Sequence, residues 1–194
     1  MTGINPDKLP ERRLGAGTKL HRLYHHAAGT PWYFTRGGEG RFDPIGVKGL
    51  GVCYWAEDPL GAWVEVFRTK TTLTQAEVDE RRLATLTLTD EVRVIDLTQR
   101  KGLAAGVTAA LTSGHDYSDS QALATSVALR VAGIRWRARH DLAQKLIVVG
   151  LFGPDGPQPG HEPLHLSEPI PLSLVEEAES AFGYTVLPRP STAP

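Results

Sequence analysis

The order of elements around residues 29–68 constrains the fold of this chain most strongly. Residues 29–51 are rich in glycine and proline, which favour loops. Residues 51–56 contain the β-branched and aromatic side chains that favour a strand. Asp58 and Pro59 are typical of a helix N-cap and first helical position, and this helix is predicted to run to about Arg68. A long loop, a strand and a helix therefore follow one another directly, as in a fold in which helices pack against a sheet.

Hydrophobic patterns predict the remaining elements. Residues 145–152 are apolar almost without interruption, which is typical of a central strand, and residues 84–89 alternate as in a half-buried strand. Further strands are predicted over 20–24, 92–97 and 134–137, and helices from residue 74, along 103–111, over 119–131 and over 173–182. We expect an α+β fold with a mixed sheet and flanking helices. It would form a single domain over 18–186, between an irregular lead-in over 1–17 and a disordered tail over 187–194.

The composition argues against several functional classes. With 41% hydrophobic and 22% charged residues, the chain has a soluble globular composition. It carries 21 basic and 22 acidic residues, so its formal net charge is −1 and no direct nucleic-acid binding is expected. No apolar run approaches the ~20 residues of a membrane span, and the start lacks a signal-peptide core. Cytoplasmic location is therefore expected. The single cysteine, Cys53, allows no internal disulfide and is interpreted as a small buried strand residue.

Two arginines and a tyrosine are candidates for a phosphate site. Arg41 lies in the loop between Gly40 and Phe42, where a guanidinium can bind phosphate through two parallel hydrogen bonds. The alternative is an ordinary exposed loop arginine. Arg22 lies on a predicted strand, and the two-residue repeat of a strand places Tyr24 on the same face. For Arg22 the alternative is a charge on a solvated face.

A carboxylate and a phenol follow the loop. Glu65 is the only charged residue between Leu60 and Phe67. It could stabilise an oxocarbenium-like centre or bind a ribose hydroxyl, or it could point outward and pair with Arg68. Tyr54 could stack on a planar ring or donate a hydrogen bond, or it could be a core aromatic residue. These side chains are the ones needed to hold a diphosphate ligand and stabilise positive charge at a sugar carbon.

Other chemistries have less support from the sequence. One basic cluster, of Arg135, Arg137, Arg139 and His140, could meet phosphates or form a solvated strand edge. His21, His25 and His26 lack HExxH or CxxC spacing, so no metal site is expected. The GxGxxG, P-loop and GxSxG motifs are absent from the sequence, so a Rossmann fold, ATP hydrolysis and that type of serine hydrolase lack support.

Taken together, these segments resemble the RES domain family, which is named for its arginine, glutamate and serine. The resemblance runs from about Leu20 to Phe152. Its most specific segment is Gly40-Arg41-Phe42-Asp43-Pro44-Ile45-Gly46, which is similar to the family's G-R-W/F-N-P-x-G loop. The other similar segments are Leu20-His21-Arg22-Leu23-Tyr24, Val52-Cys53-Tyr54-Trp55-Ala56, Ala62-Trp63-Val64-Glu65-Val66, Gly133-Ile134-Arg135-Trp136 and Leu151-Phe152.

The resemblance implies an ADP-ribosyltransferase-like fold and the activity of an NAD-degrading toxin that is paired with an Xre-type antitoxin. NAD would be the substrate, cleaved at the nicotinamide–ribose bond by hydrolysis or phosphorolysis, and no cofactor is expected. A homo-oligomer remains open. The resemblance implies Glu65, Arg41 and Tyr54 as catalytic residues, and Arg22, Tyr24, Arg41, Tyr54 and Arg135 as NAD-binding residues.

The sequence departs from the family pattern at two places. Arg137 and Ala138 stand where the family commonly has Pro-Ser with the signature serine, and Asp43 replaces the asparagine of the loop. Replacement of the lost hydroxyl by a serine elsewhere is one explanation, with Ser118, Ser120 and Ser126 as candidates. ADP-ribosyl transfer to a macromolecule and a catalytically weakened NAD-binding module are therefore retained as alternatives.

Overall fold

A mixed sheet of eight strands organises the computed structural model, which describes residues 3–68, 70–161 and 165–189. In chain order the strands are β1 (Glu11–Leu14), β2 (Lys19–His25), β3 (Tyr33–Phe34), β4 (Leu50–Ala56), β5 (Thr72–Thr74), β6 (Arg81–Thr87), β7 (Val92–Asp96), β8 (Gly133–Arg137), β9 (Ile147–Pro154), β10 (Gly156–Pro157), β11 (His165–Pro169) and β12 (Thr185–Leu187). The helices are α1 (Pro59–Phe67), α2 (Gln75–Asp79), α3 (Ala109–Ser113), α4 (Ser118–Val127) and α5 (Leu172–Phe182).

The large sheet has the strand order β1-β7-β8-β9-β4-β2-β6-β11, and its β7–β8 pair is parallel while its other pairs are antiparallel. Two short pairs, β10–β3 and β12–β5, lie outside this sheet. At the centre of the sheet, β2 and β4 share little backbone pairing. Strands β2 and β4 pair only at His21 and Ala56, whereas each pairs along its whole length with its other neighbour. The sheet therefore opens between β2 and β4.

Helix α1 begins immediately beyond that opening. The Asp58 side chain accepts a hydrogen bond from the Leu60 N–H at 2.8 Å, and Pro59 occupies the first turn, so the sequence itself specifies the start of the helix. The helix buries Trp63 and Phe67 in an apolar cluster with residues of β2, β6 and α5. This packing fixes which face of α1 is turned to the neighbouring strands.

The elements predicted around the site are confirmed, including the strands that became β2, β4, β8 and β9 and the helices α1 and α5. One helix was wrong in type. Residues 103–111 divide into a 3₁₀ segment, Arg100–Ala105, and α3, because Gly106 adopts φ 87 and ends the first segment. The helix predicted over 119–131 ends earlier, at Val127.

Short edge strands were missed. Residues Glu11–Leu14, placed in an irregular lead-in, form β1 against β7, and β11 lies in a Pro- and Gly-rich stretch. Leu187, the predicted first residue of the tail, ends β12. Residues 190–194 of that predicted tail lie outside the described part of the chain. Such short strands carry little hydrophobic alternation, and pairing with a strand that is already formed determines them. No helix in the described ranges is long and apolar enough to span a membrane.

Candidate functional site

Two adjoining pockets lie where the sheet opens beside α1. The first has a volume of about 230 Å³ and is lined by residues of β2, β4 and α1, together with Arg68 and Val148. The second, of about 80 Å³, lies between the glycine loop, α1 and the end of β8. Glu65, Tyr54 and Arg68 line both pockets, so these three residues mark the junction between them.

Arg22 bridges the gap between β2 and β4. Its Nη1 donates hydrogen bonds to Cys53 Sγ at 2.7 Å and to the Tyr54 carbonyl at 3.2 Å. Its Nε is buried without a hydrogen-bond partner among the described residues. An unsatisfied buried donor is costly, and a guanidinium has five donors. Arg22 therefore lines the first pocket with donor capacity to spare. Cys53 is fully buried, as predicted.

Arg41 lines the second pocket and is held rigidly. It is only 7% exposed; its Nη1 donates to the Leu111 carbonyl at 3.2 Å and its Nη2 to the Gly114 carbonyl at 2.9 Å. The guanidinium also lies over the Tyr117 ring, 4.5 Å from its centroid. Burial lowers the pKa of Arg41 below its ordinary value. Each terminal nitrogen carries a second N–H, so the oriented side chain keeps donors for an anion.

Glu65 is half-buried at the junction of the two pockets. Its Oε1 is buried without a hydrogen-bond partner among the described residues. Burial raises the pKa of Glu65, while the charges of Arg68, Arg41 and Arg139 act in the opposite direction. The outward position with an Arg68 side-chain pair, considered from the sequence, is not what the structure has, because Arg68 Nε donates to the Glu65 backbone carbonyl at 3.1 Å. A recessed carboxylate among cations suits the stabilisation of a developing positive charge.

The Tyr54 hydroxyl is committed to the glycine loop. It donates to Asp43 Oδ1 at 3.0 Å and accepts from the Phe42 N–H at 3.1 Å. Burial, followed by the negative charge of Asp43, raises the pKa of Tyr54 well above 10. The ring edge packs against Trp136, with centroids 5.9 Å apart. Tyr54 therefore presents a neutral aromatic surface to both pockets, while its hydroxyl holds the loop.

Asp43 organises the glycine loop from inside. Its carboxylate is fully buried and also accepts hydrogen bonds from the Thr35 hydroxyl at 3.0 Å and from the N–H groups of Gly38 and Gly40 at 2.9 and 3.1 Å. A Cβ on Gly40 would lie 2.2 Å from Asp43 Oδ1 and 2.4 Å from the Tyr54 hydroxyl, so only glycine fits there. The acidic replacement in the family's loop pattern thus supplies four acceptor contacts and presents Arg41 to the pocket.

Two residues singled out from the sequence line neither pocket. Arg135 forms a bidentate pair with Glu57, at 2.6 and 2.8 Å, and a further pair with Asp96 at 3.1 Å. Its side chain is 8% exposed, so its donors are used inside the protein. The Tyr24 hydroxyl is hydrogen-bonded to Ser167 Oγ at 2.7 Å. The sequence could not show whether Arg135 and Tyr24 contact a ligand or an internal partner, because those partners lie in distant segments of the chain.

Ala138 is fully buried and packs in the apolar cluster under the sheet. The three serines considered as substitutes for its missing hydroxyl line neither pocket. Ser120 Oγ donates to the Tyr117 carbonyl at 3.0 Å, Ser126 Oγ donates to the Leu123 carbonyl at 2.7 Å, and Ser118 is exposed.

Three basic side chains were not assigned to the site from the sequence. Arg68, Arg139 and His140 all line the second pocket. Arg68 follows the last residue of α1, and the other two belong to the turn between β8 and β9. The basic cluster in the sequence pointed to Arg139 and His140 as possible phosphate contacts. It did not show which members of the cluster would line the pocket. Within the described ranges, no group of three or more His, Cys, Asp or Glu side chains is arranged to hold a metal ion.

Comparisons with known proteins identify a family and a similar fold. The family model described as the RES domain matches residues 19–173. Among solved structures, the fold is similar to a chain in the crystal structure of the M. tuberculosis MbcT–MbcA toxin–antitoxin complex. The two are 21% identical, with a TM-score of 0.62, over 87% of this chain and 92% of that one. A search of curated proteins found no match. The predicted α+β class, with a mixed sheet and flanking helices in one domain, is confirmed.

Proposed function

The chain belongs to the RES domain family, and on that basis we propose that it cleaves the nicotinamide–ribose bond of NAD as the toxin of a toxin–antitoxin pair. NAD is the substrate in this proposal, and no cofactor takes part. The observation that carries it is the convergence of Arg22, Arg41, Tyr54 and Glu65 on two adjoining pockets, although they come from four different segments, namely β2, the glycine loop, β4 and α1.

The two guanidiniums suit the diphosphate of NAD. Arg22 lines one pocket and Arg41 the other, and each keeps N–H donors that the protein does not use. A guanidinium binds phosphate oxygens through charge-assisted hydrogen bonds. A diphosphate that spans the junction would place its attached ribose beside Glu65.

Glu65 suits the charge that develops when nicotinamide leaves. The nicotinamide nitrogen takes the bonding electron pair and departs as a neutral amine, so the sugar carbon becomes cationic. A recessed carboxylate stabilises that cation, and the rest of the rate enhancement comes from positioning. Tyr54 contributes a neutral ring surface, since its hydroxyl is already bonded to Asp43 and Phe42. Tyr24 and Arg135 receive no ligand contact in this proposal, because their polar groups are used elsewhere.

The buried position of Ala138 favours catalysis over the alternative of a weakened NAD-binding module. Its side chain packs among apolar residues and lines neither pocket. Replacement of a serine there therefore removes no polar group from the pocket walls. The remaining alternative is ADP-ribosyl transfer to a macromolecule. It differs from NAD cleavage because the ADP-ribosyl group becomes attached to a protein or nucleic acid and is not released as a free product.

Incubation of the purified protein with NAD tests the proposal. We expect free nicotinamide and a free ADP-ribosyl product from the wild type, and none from Glu65→Gln. Glu177→Gln is the matched control, because Glu177 is exposed on α5, away from both pockets. No nicotinamide release in buffers with and without phosphate would refute cleavage. Radiolabel from NAD on protein or nucleic acid, in place of a free product, would establish the transferase alternative.

An antitoxin partner is part of the proposal. The similar fold in the MbcT–MbcA structure comes from a toxin–antitoxin complex. We expect an Xre-type helix-turn-helix protein in the neighbouring reading frame, and co-expression of that protein should relieve growth arrest caused by the wild-type chain. Growth arrest that persists in the Glu65→Gln variant would contradict toxicity through NAD cleavage.

A further inference from the structure

Arg68 has a backbone conformation that an arginine rarely adopts. Its φ is 51 and its ψ is −113, so it lies in the region of positive φ that favours glycine. Among the described residues, Gln144 is the only other non-glycine residue with a positive φ, and it lines neither pocket. Such strain persists only where the surrounding structure enforces it, and it is concentrated at functional sites. Because Arg68 lines both pockets, we connect its strain with the site.

Two hydrogen bonds hold the Arg68 backbone in this conformation. The Arg68 N–H donates to the Val64 carbonyl at 2.9 Å, at the end of α1. Tyr184 is only 6% exposed, and its hydroxyl donates to the Arg68 carbonyl at 2.7 Å. Burial raises the pKa of Tyr184, which keeps the hydroxyl protonated as a donor. Both polar groups of the Arg68 backbone are therefore bonded.

Tyr184 belongs to a C-terminal segment that the family match does not include. The RES domain match ends at residue 173, whereas Tyr184 lies between α5 and β12. Its ring packs edge-on against Trp63 of α1, with centroids 6.0 Å apart, and against Phe182, with centroids 5.9 Å apart. The parallel pair β12–β5 fixes the chain immediately after it. A segment beyond the shared family pattern thus contacts the end of the helix that carries Glu65.

The Arg68 side chain turns back over the last turn of α1. Its Nε donates to the Glu65 carbonyl at 3.1 Å, and both residues line both pockets. Glu65 Oε1 is buried without a hydrogen-bond partner among the described residues, so nearby positive charge is needed to favour the ionised carboxylate. Burial raises the pKa of Glu65, and the charge of Arg68 is the largest of the effects that lower it.

Other titratable groups also surround Glu65. The charges of Arg41 and Arg139 lower its pKa as well, by less than the charge of Arg68 does. Burial lowers the pKa of His21 and of His140, so both imidazoles titrate below the ordinary 6.5. A test must therefore follow the Glu65 carboxyl group itself as well as the rate. Besides Arg68, the charged or titratable side chains that line a pocket with Glu65 are His21, Arg22, Glu39, Arg41, Arg139 and His140, together with the phenols of Tyr54 and Tyr117.

We propose that Arg68 is a further positioning residue of the NAD-cleaving site, acting through Glu65, and that Tyr184 holds Arg68 in place. This role rests on the proposed function, because an ionised Glu65 matters where a sugar carbon becomes cationic. Arg68 contributes its charge and its hydrogen bond to the Glu65 backbone, and it makes no contact with the reacting carbon. The C-terminal segment that carries Tyr184 is then a part of the functional site.

Steady-state kinetics of NAD cleavage by the full-length chain are the first test. We expect kcat in Arg68→Gln to fall about tenfold at pH 6 and less at pH 8, with little change in the KM for NAD. The loss shrinks at higher pH because deprotonation restores the Glu65 carboxylate. A raised KM with an unchanged kcat would overturn the positioning role and make Arg68 a substrate contact.

Tyr184→Phe tests whether Tyr184 acts through Arg68. The variant loses the hydrogen bond to the Arg68 carbonyl but keeps its ring. We expect a smaller fall in kcat of the same kind, and no further fall when the change is added to Arg68→Gln. Tyr33→Phe is the control and should match the wild type, because Tyr33 is exposed on β3 and lines neither pocket. Losses that add in the double variant would overturn the role of Tyr184.

Arg68→Gly separates the strain from the side chain. Glycine adopts a positive φ without strain, and the variant keeps the backbone carbonyl that accepts from Tyr184. We therefore expect a Tm at or above that of the wild type, together with the loss of kcat seen in Arg68→Gln. A wild-type kcat in Arg68→Gly would overturn the proposal, since the side chain would then take no part in the reaction.

The titration of Glu65 needs no turnover and so does not depend on NAD cleavage. Carbon-13 NMR of labelled glutamate carboxyl groups follows it, with the Glu65 signal identified by its loss in Glu65→Gln. We expect the titration midpoint to move to higher pH in Arg68→Gln and to move less in Tyr184→Phe. An unchanged midpoint in Arg68→Gln would overturn the positioning role even if the wild type releases nicotinamide. A shifted midpoint without nicotinamide release would refute NAD cleavage and keep the coupling between Arg68 and Glu65.

Discussion

Replacement of Asp43 by alanine gives the sharpest test of how the glycine loop presents Arg41. The Asp43 carboxylate accepts four hydrogen bonds, two from hydroxyls of Thr35 and Tyr54 and two from backbone N–H groups of residues 38 and 40. Alanine removes all four acceptor contacts at once. The loop would then lose the hydrogen bonds through which Asp43 connects residues 35–40 to Tyr54 of β4.

The cost can be worked out from the burial of the donors. The two backbone N–H groups lie near the surface, where water can replace the acceptor for about 1 kcal/mol each. The Tyr54 hydroxyl is deeply placed, and an unsatisfied buried donor costs about 1–3 kcal/mol. The Thr35 hydroxyl adds about 1 kcal/mol, so we expect Asp43→Ala to lower the free energy of unfolding by about 4–6 kcal/mol. Most domains have a total stability of about 5–15 kcal/mol, so a folded variant should remain measurable.

Asp43→Asn provides the graded comparison. One asparagine orientation keeps the amide oxygen toward the two backbone donors and turns its NH₂ group toward the hydroxyls of Thr35 and Tyr54. The Tyr54 proton then loses its acceptor, at a cost of about 1–3 kcal/mol. Thr35→Val, which removes a single donor, should cost about 1 kcal/mol.

Urea unfolding of the wild type and the three variants measures these differences, with kcat and KM for NAD on the same preparations. We expect the stability order wild type, Thr35→Val, Asp43→Asn and Asp43→Ala, and a rise in KM that follows it because Arg41 loses its fixed position. An Asp43→Ala variant within about 1 kcal/mol of the wild type, or equal to Asp43→Asn, would refute this account of the loop.

Three further predictions follow from the charged groups. Glu65→Gln should have a Tm at pH 7 at least as high as that of the wild type. Because the folded-state pKa of Glu65 is raised, the wild-type protein becomes less stable as pH rises through that pKa and the carboxyl group ionises. A clearly lower Tm in the variant would contradict this unfavourable burial of the ionised carboxylate. The same raised pKa predicts that kcat/KM for NAD falls as pH decreases through a value above the ordinary 4.5 of a glutamate, whereas a pH-independent rate down to 4.5 would argue against an ionised Glu65. Arg135→Met should lower the free energy of unfolding by about 3–5 kcal/mol in urea, since the buried Asp96 and the half-buried Glu57 would both lose their cationic partner; unchanged stability with weaker NAD binding would restore Arg135 as a ligand residue.

The main elements of the fold could be read from the sequence because their signals are local. The N-cap Asp58 with Pro59, and the apolar run that became β9, specify their elements through nearby residues alone. The edge strands β1 and β11 carried no such signal, because hydrogen bonds to β7 and β6 determine them. The α+β class therefore followed from the sequence, whereas the extent of the sheet did not.

For the candidate site, the residue types and their order were sufficient to suggest Arg22, Arg41, Tyr54 and Glu65. Whether a side chain faces a pocket or an internal partner depends on segments far away in the chain. That is why Arg135 and Tyr24 were placed in the site from sequence and lie in internal hydrogen bonds in the structure. Arg68 was treated as an ordinary helix partner for the same reason, because its unusual backbone conformation is visible only in three dimensions.

The sequence by itself determined a glycine loop, a strand and a helix that carry an arginine, a tyrosine and a glutamate in a recognisable order. Only the tertiary structure decided that β2 and β4 separate after a single paired position, and that the resulting gap brings Arg22 to the same place as Glu65. It also decided that the buried Asp43 carboxylate holds the loop and that Arg68 and Arg139 line the same pocket as Glu65. Local patterns are set by neighbours in the chain, but burial and electrostatic pairing depend on distant residues that meet only when the sheet is formed.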